Sequence, residues 1–283
     1  MIELFNLLIV APITNLLLGI YQLVSITQLP FGLGISIILL TIVMRLLLAP
    51  LTASQLKAAK KMQEVAPELK KLKEKYKGNN QRLQAETMLL YKKQGINPAA
   101  GCLPVILQLP IIWGLYNVLQ HLVKETSLGE INKFAYADWL KLDTLWDTSF
   151  LGIPIAQTPA DLFSTIGIII VIVPLLTGLS QFIQSRMMIP AAKPEDKAVV
   201  KSTKKKNGEQ KTTPDFATAF QTQTLYIFPL MIGFFSFTFP VGLSLYWITF
   251  TIFGIIQQYK LQGPGGLTPL LATIKERYYG RTK

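Results

Sequence analysis

The stretch LLTIVMRLLLAPLTASQLK, Leu39 to Lys57, sets a guanidinium, Arg45, six residues before Leu51, the end of a run apolar enough to sit in lipid. An arginine at the bilayer centre costs roughly 2.5–3.5 kcal/mol on insertion scales, so it pairs, faces water or reaches for the headgroups. Six residues of helix at about 1.5 Å each put Arg45 about 9 Å from Leu51, nearly within snorkelling reach. Pairing fails, because no Asp or Glu falls within any of the five apolar segments identified below. Thr41 stands one turn before Arg45 on the same helix face. A guanidinium with no carboxylate to neutralise it is expected to be kept wet by a cavity open to the cytoplasm.

Around this stretch the chain has the profile of a polytopic membrane protein. Half of its 283 residues are hydrophobic, 16% are charged and the mean hydropathy is +0.37. About 20 apolar residues cross the hydrocarbon core as a helix. Five segments meet or approach that length: Leu33–Leu51, Cys102–Val123, Phe163–Gln184, Leu225–Phe239 and Val241–Gln258. Pro240 and Gly242 supply a tight turn that makes the last two a hairpin. The net charge of +12 reports topology rather than DNA binding, since the basic residues lie between the apolar runs. Residues 56–94, 185–220 and 260–283 carry 11, 8 and 5 Lys or Arg, whereas the opposite side carries only Lys124, Lys133 and Lys141. By the positive-inside rule the first span therefore runs from outside to inside and the C-terminus is cytoplasmic.

The expected organisation is an all-α integral membrane protein with five transmembrane helices around a hydrophilic groove. Residues 1–30 form an N-terminal interfacial helix on the outer face, because Glu3, Asn6, Thr14, Asn15, Gln22 and Ser25 share one half of a helical wheel; a sixth span is the alternative. This segment lacks a basic start and a small-residue cleavage pattern, so it does not read as a cleaved signal peptide. Residues 31–55 hold the first span. Residues 56–97 form a cytoplasmic helical hairpin, with Met62, Val65, Leu69, Leu72 and Tyr76 as a coiled-coil seam broken at Gly78-Asn79-Asn80. Pro67 kinks the first arm or opens a new helix. The second span occupies 98–124, an extracytoplasmic loop 125–160 and the third span 161–188. Residues 189–220 read as a mobile cytoplasmic loop, 221–260 as the fourth and fifth spans, and 261–283 as a basic cytoplasmic tail.

Polar residues recur at helical spacing inside three spans. Thr177, Gln181 and Gln184 make a stripe on the third, and Ser244, Trp247 and Thr251 make one on the fifth. Such residues also serve as interhelical glue, a reading that accounts for glutamine and threonine but poorly for a deep arginine. With one cysteine, Cys102, and one histidine, His121, the chain builds neither a disulfide framework nor a Cys/His metal site, and both residues are expected to serve packing. No HExxH, GxSxG or glycine-rich phosphate loop occurs, so an enzyme, a nucleotide site and a cofactor are not expected. A small-solute transporter or channel is the runner-up, although neither paired half-repeats nor ionisable coupling groups are visible.

Three segments, RLLLAPLTASQLKAAKKMQEVAPELKKLKEKY, NPAAGCLPVILQLPIIWGLYNVL and FPVGLSLYWITFTIFGIIQQ, resemble the YidC/Oxa/Alb membrane protein insertases in content, order and spacing, over Leu33 to Lys260. The resemblance implies five spans enclosing a groove that is open to cytoplasm and lipid and sealed outside. It makes Arg45 the groove arginine, with Thr41 a turn before it, Gln184 the groove glutamine of the third span, and Tyr246 and Trp247 the aromatic pair of the fifth. Gln181 joins them by its spacing to Gln184. The implied role is to receive membrane proteins and release their helices into lipid, in a bacterial plasma membrane. Nascent membrane proteins and membrane lipids are the implied partners, the Sec translocon and the ribosome are further ones, and the chain is expected to be a monomer. The sequence departs from the Gram-negative pattern in lacking a large periplasmic domain before the core, and its tail is short.

Overall fold

Helices dominate the computed structural model, which describes residues 2–96, 103–123, 128–189 and 223–269 together with residue 272. Helix α1, Glu3–Ile26, turns back through a short link into α2, Gly32–Leu47, and the two pack along their lengths. Helix α1, the segment Pro159–Met187 and the helix Val241–Gln262 are each long and apolar enough to cross a membrane; α2 with its bent continuation supplies a fourth candidate. The chain is therefore a multi-pass, mostly helical membrane protein. The all-α expectation needs one correction, a small antiparallel hairpin of β1, Ser149–Phe150, and β2, Ile153–Pro154.

The first span ends earlier than Leu51. Helix α2 stops at Leu47, and α3, Ala49–Glu64, leaves it at 62°. Pro50 explains the break, because its ring has no N–H to donate and collides with the carbonyl four residues back in a continuous helix. Arg45 thus occupies the last turn of α2, just before the bend. Helix α4, Ala66–Lys75, restarts with Pro67 in its first turn, and α5, Asn80–Lys93, folds back beside it. The Asn79 side chain caps α5 by accepting the Arg82 N–H at 3.0 Å.

Helix α6, Leu103–Asn117, packs on α1 where Gly114 faces Ile9 and Ile13; a methyl group there would lie 2.9 Å from each. A short helix α7, Leu128–Asn132, and the β-hairpin follow. The third apolar segment is α8, Pro159–Ile166, and α9, Ile172–Met187, joined by a tight turn that begins at Gly167 with φ 76°. Thr158 and Asp161 cap α8 reciprocally. Helices α10, Phe228–Thr238, and α11, Val241–Gln262, complete the bundle. Gly178 of α9 and Gly233 of α10 let those backbones touch, as small residues do in membrane helix pairs.

The buried core gathers α1, α2, α6 and the segment between α7 and α8. Leu17, Leu18, Leu33, Ile37, Leu115, Leu119 and Ile155 are fully enclosed there. The outer segment is stitched onto this core by polar bonds. Asn15 donates to the Phe134 carbonyl at 2.8 Å and accepts from the Tyr136 N–H at 2.7 Å, and Gln22 donates to the Lys141 carbonyl. Of the polar half of α1, Thr14 and Asn15 are therefore turned into protein rather than toward headgroups. Cys102, most of the 189–220 loop and most of the tail lie outside the described residues, as does the His121 side chain.

Candidate functional site

Arg45 is 4% exposed, so it neither snorkels into the phosphate layer nor stands open in water. Its Nε and Nη2 donate to the Phe250 carbonyl of α11 at 3.0 and 2.5 Å. The guanidinium carbon lies 3.4 Å from the centroid of the Phe250 ring, with the Phe253 ring at 5.9 Å. This corrects the expectation of a side chain solvated mainly by cavity water. Hydrogen bonds to a charged group contribute about 1.5–3 kcal/mol, and a desolvated cation over an aromatic face about 2 kcal/mol. Together they offset an insertion cost of roughly 2.5–3.5 kcal/mol without a carboxylate.

The site depends on an absent side chain. Within a helix the Phe250 carbonyl already serves the N–H four residues on, at Gly254, and accepts Arg45 with its second lone pair. Gly254 leaves that approach open: a Cβ there would lie 2.6 Å from Arg45 Nη2 and closer still to Gln184 Nε2. Arg45 of α2 and Gln184 of α9 thus converge on one bare patch of α11.

The other expected residues fall into two adjoining groups. Trp247 donates its indole N–H to Gln181 Oε1 at 3.0 Å. One turn away, buried Ser236 donates to Thr177 Oγ1 at 3.2 Å and shares a 2.7 Å bond with Ser244, linking α9, α10 and α11. Tyr246 is fully buried, accepts from Gln108 Nε2 at 2.6 Å and stacks on Phe250 at 5.7 Å between ring centres. Thr41 is buried and returns its hydroxyl to the Ile37 carbonyl at 2.6 Å, so it lines the α2 face without reaching Arg45.

Beside Arg45, on the side covered by α3, polar groups are buried without partners. Thr251 Oγ1, Gln258 Nε2 and both polar atoms of the Gln55 amide find none among the described residues, and Gln258 is 2% exposed. Thr251, Gly254 and Gln258 are spaced by three and four and share a face of α11. Helix α3 covers this level. Gln257 donates to the Ala49 carbonyl at 3.1 Å and meets Thr52, Gln262 donates to the Leu56 carbonyl, and Gln63 donates to the Met188 carbonyl at 2.6 Å. Each orphaned amide costs about 1–3 kcal/mol unless water or another polar group reaches it. Arg45 Nη1 makes no hydrogen bond among the described residues either, although it is not fully enclosed.

Phe250, Gly254, Gln108, Gln55 and Gln258 were not singled out from sequence. Phe250 acts through its carbonyl, which every residue carries. A glycine inside an apolar span and a glutamine in the second were the only signals for Gly254 and Gln108. No group of three or more His, Cys, Asp or Glu able to hold a metal occurs among the described residues.

Residues 25–264 match the family described as 60Kd inner membrane protein. The chain is 33% identical over 235 residues to the membrane protein insertase MisCA of Bacillus subtilis, covering 82% of this chain and 70% of the relative. It is 32% identical over 237 residues to the membrane protein insertase YidC of Oceanobacillus iheyensis, covering 82% and 75%. It is also 32% identical over 258 residues to the chloroplastic inner membrane protein ALBINO3 of Arabidopsis thaliana, covering 87% and 50%. The transporter alternative finds no support among these relatives.

Proposed function

The chain belongs to the 60Kd inner membrane protein family, and from that premise we propose that it is a membrane protein insertase whose polar interior lowers the barrier for a substrate's hydrophilic flank. The observation that carries the mechanism is the column of underbonded polar groups from Arg45 Nη1 through Thr251 to Gln258 and Gln55. Groups held this way demand water or a visiting polar chain. A flank entering from the cytoplasm meets the two glutamines first and then the guanidinium, which attracts its acidic residues. The apolar segment slides along α9 and α11 into lipid, and burial of that segment drives the step. No bond is made or broken.

The reading extends to the whole chain. Five spans, α2, α6, α8 with α9, α10 and α11, enclose the groove formed by Arg45, Thr41, Gln181, Gln184, Tyr246 and Trp247. The bonds of Asn15 and Gln22 to the outer loop support α1 lying along the outer face, while its packing on α2 and on Gly114 of α6 supports the alternative of a further span. The α4/α5 hairpin and the basic loops hold anionic headgroups or ribosomal RNA near the entrance. The location follows as a bacterial plasma membrane with the C-terminus in the cytoplasm, and a Sec translocon is a partner for some substrates.

Arg45→Glu tests the groove. In proteoliposomes it abolishes insertion of a substrate with an acidic translocated tail, while Arg45→Lys retains most of it. Insertion by Arg45→Glu at the unsubstituted rate refutes the guanidinium's role.

A further inference from the structure

A second cavity, outside the polar column, opens where α9 and α11 end. Its volume is about 260 Å³, with walls from Ile183 and Met187 of α9, Ile256 and Lys260 of α11, and Leu267 of the turn that follows. The lining is apolar throughout, Lys260 contributing its methylene stem while its exposed ammonium stands outside the cavity, so water has too few partners to fill it. The cavity is fixed by a glycine-rich clamp. Gly263 ends α11 with φ 79°, and Gly265, with φ 49°, and Gly266 press their backbones on α9: a Cβ at Gly266 would stand 2.6 Å from the Arg186 carbonyl oxygen. The hollow is therefore part of the fold rather than a gap between loose ends.

Its charge is one-sided. No Asp or Glu occurs between residues 162 and 194 or between 216 and 275. Lys260 has no carboxylate partner among the described residues. Both helices end here on the side where lysine and arginine accumulate, and exposed Tyr259 takes the interfacial position favoured by aromatic residues. Apolar walls beside a lysine that has no carboxylate partner among the described residues match the outline of one molecular class. We propose that this cavity is a binding site for an anionic phospholipid of the cytoplasmic leaflet, with an acyl chain between Ile183 and Ile256 and the phosphate at Lys260. The site lies beside the seam between α9 and α11, and the proposal stands whether or not Arg45 serves insertion.

The full chain, purified in mild detergent with phosphatidylglycerol or phosphatidylcholine, is compared by native mass spectrometry for retained lipid. Phosphatidylglycerol is retained preferentially. Lys260→Gln weakens its retention about fivefold, the effect of one basic residue at a membrane surface, and Lys260→Glu weakens it further. Ile256→Trp, which fills the cavity, lowers retention with the lysine in place. Equal retention of the two lipids, or unchanged retention in both Lys260 variants, overturns the proposal. Displacement of phosphatidylglycerol by millimolar inorganic phosphate would mark a free-anion site instead and overturn it equally. An apolar transmembrane peptide that displaces both lipids alike would assign the cavity to substrate, with the same result for the proposal.

Discussion

A methyl group at position 254 would stand 2.6 Å from Arg45 Nη2 and closer to the Gln184 amide, so the ends of these two polar side chains must shift to admit it. Gly254→Ala gains helix propensity worth about 1 kcal/mol. It also pushes the guanidinium off the Phe250 carbonyl, a bond worth about 1.5–3 kcal/mol. The losses exceed the gain, and Gly254→Ala is expected to insert substrate more slowly and to melt at a lower temperature than the parent protein. Arg45→Lys replaces the fork with a narrower ammonium, so adding it to Gly254→Ala is expected to restore part of what the alanine removed. Residues in contact show non-additive effects of about 0.5–3 kcal/mol. Strict additivity of the two substitutions, in melting temperature and in insertion rate alike, would show that Gly254 does not shape the arginine's seat.

At the scale of elements, the bond set of Asn15 carries the outer segment. Its amide donates to Phe134 and Ala11 carbonyls and accepts from Tyr136, so one side chain on α1 fixes the start of the 128–156 region. Asn15→Ala leaves these backbone groups without a partner at about 1–3 kcal/mol. The expected outcome is faster hydrogen exchange for the amides around Tyr136, with α9 and α11 unchanged. Unaltered exchange at Tyr136 would remove Asn15 from this role. The elements differ in how far they could be read in advance. Apolar runs disclosed the helices of the bundle, and the asparagine and glycine at 78–80 disclosed the hairpin turn, because burial and turn geometry both write themselves into side-chain type. The break at Leu48 was hidden, since Pro50 also suits the end of a straight span. The seat of Arg45 was hidden for a different reason: a carbonyl and a missing Cβ form it, and neither leaves a polar letter in the sequence. Gln55 and Gln258 carried no signal for burial in the sequence, and the bend that sets α3 against α11 encloses them.

Across the whole molecule the two ends of the bundle are built oppositely. At the end that the charge pattern assigns to the outside, the first N–H groups of α11 are taken by residues 155–157: Val241 donates to the Gln157 carbonyl at 2.9 Å and Gly242 to the Ile155 carbonyl at 2.8 Å. Leu119 and Ile155 fill the space beside them, and Tyr21 meets Trp146 edge to face at 5.8 Å. Apart from the Trp146 indole N–H, which finds no partner among the described residues, polar groups here are paired and the close-packed carbon leaves little room for water. The other end, which the positive-inside rule assigns to the cytoplasm, keeps Gln258, Gln55 and Thr251 underbonded. The proposed path for water and polar chain therefore enters at the end where these groups cluster. Cysteine labelling on vesicles of either orientation reads this asymmetry, in a background where Cys102 is replaced by serine. Gln258→Cys is expected to react with a membrane-impermeant maleimide applied to the cytoplasmic face and to be inert to it from outside. Leu119→Cys is expected to react from neither. A reagent that reached position 119 from outside would break the seal, and one that reached position 258 from neither face would leave the polar column dry, so either result overturns a one-sided path for the substrate's polar flank.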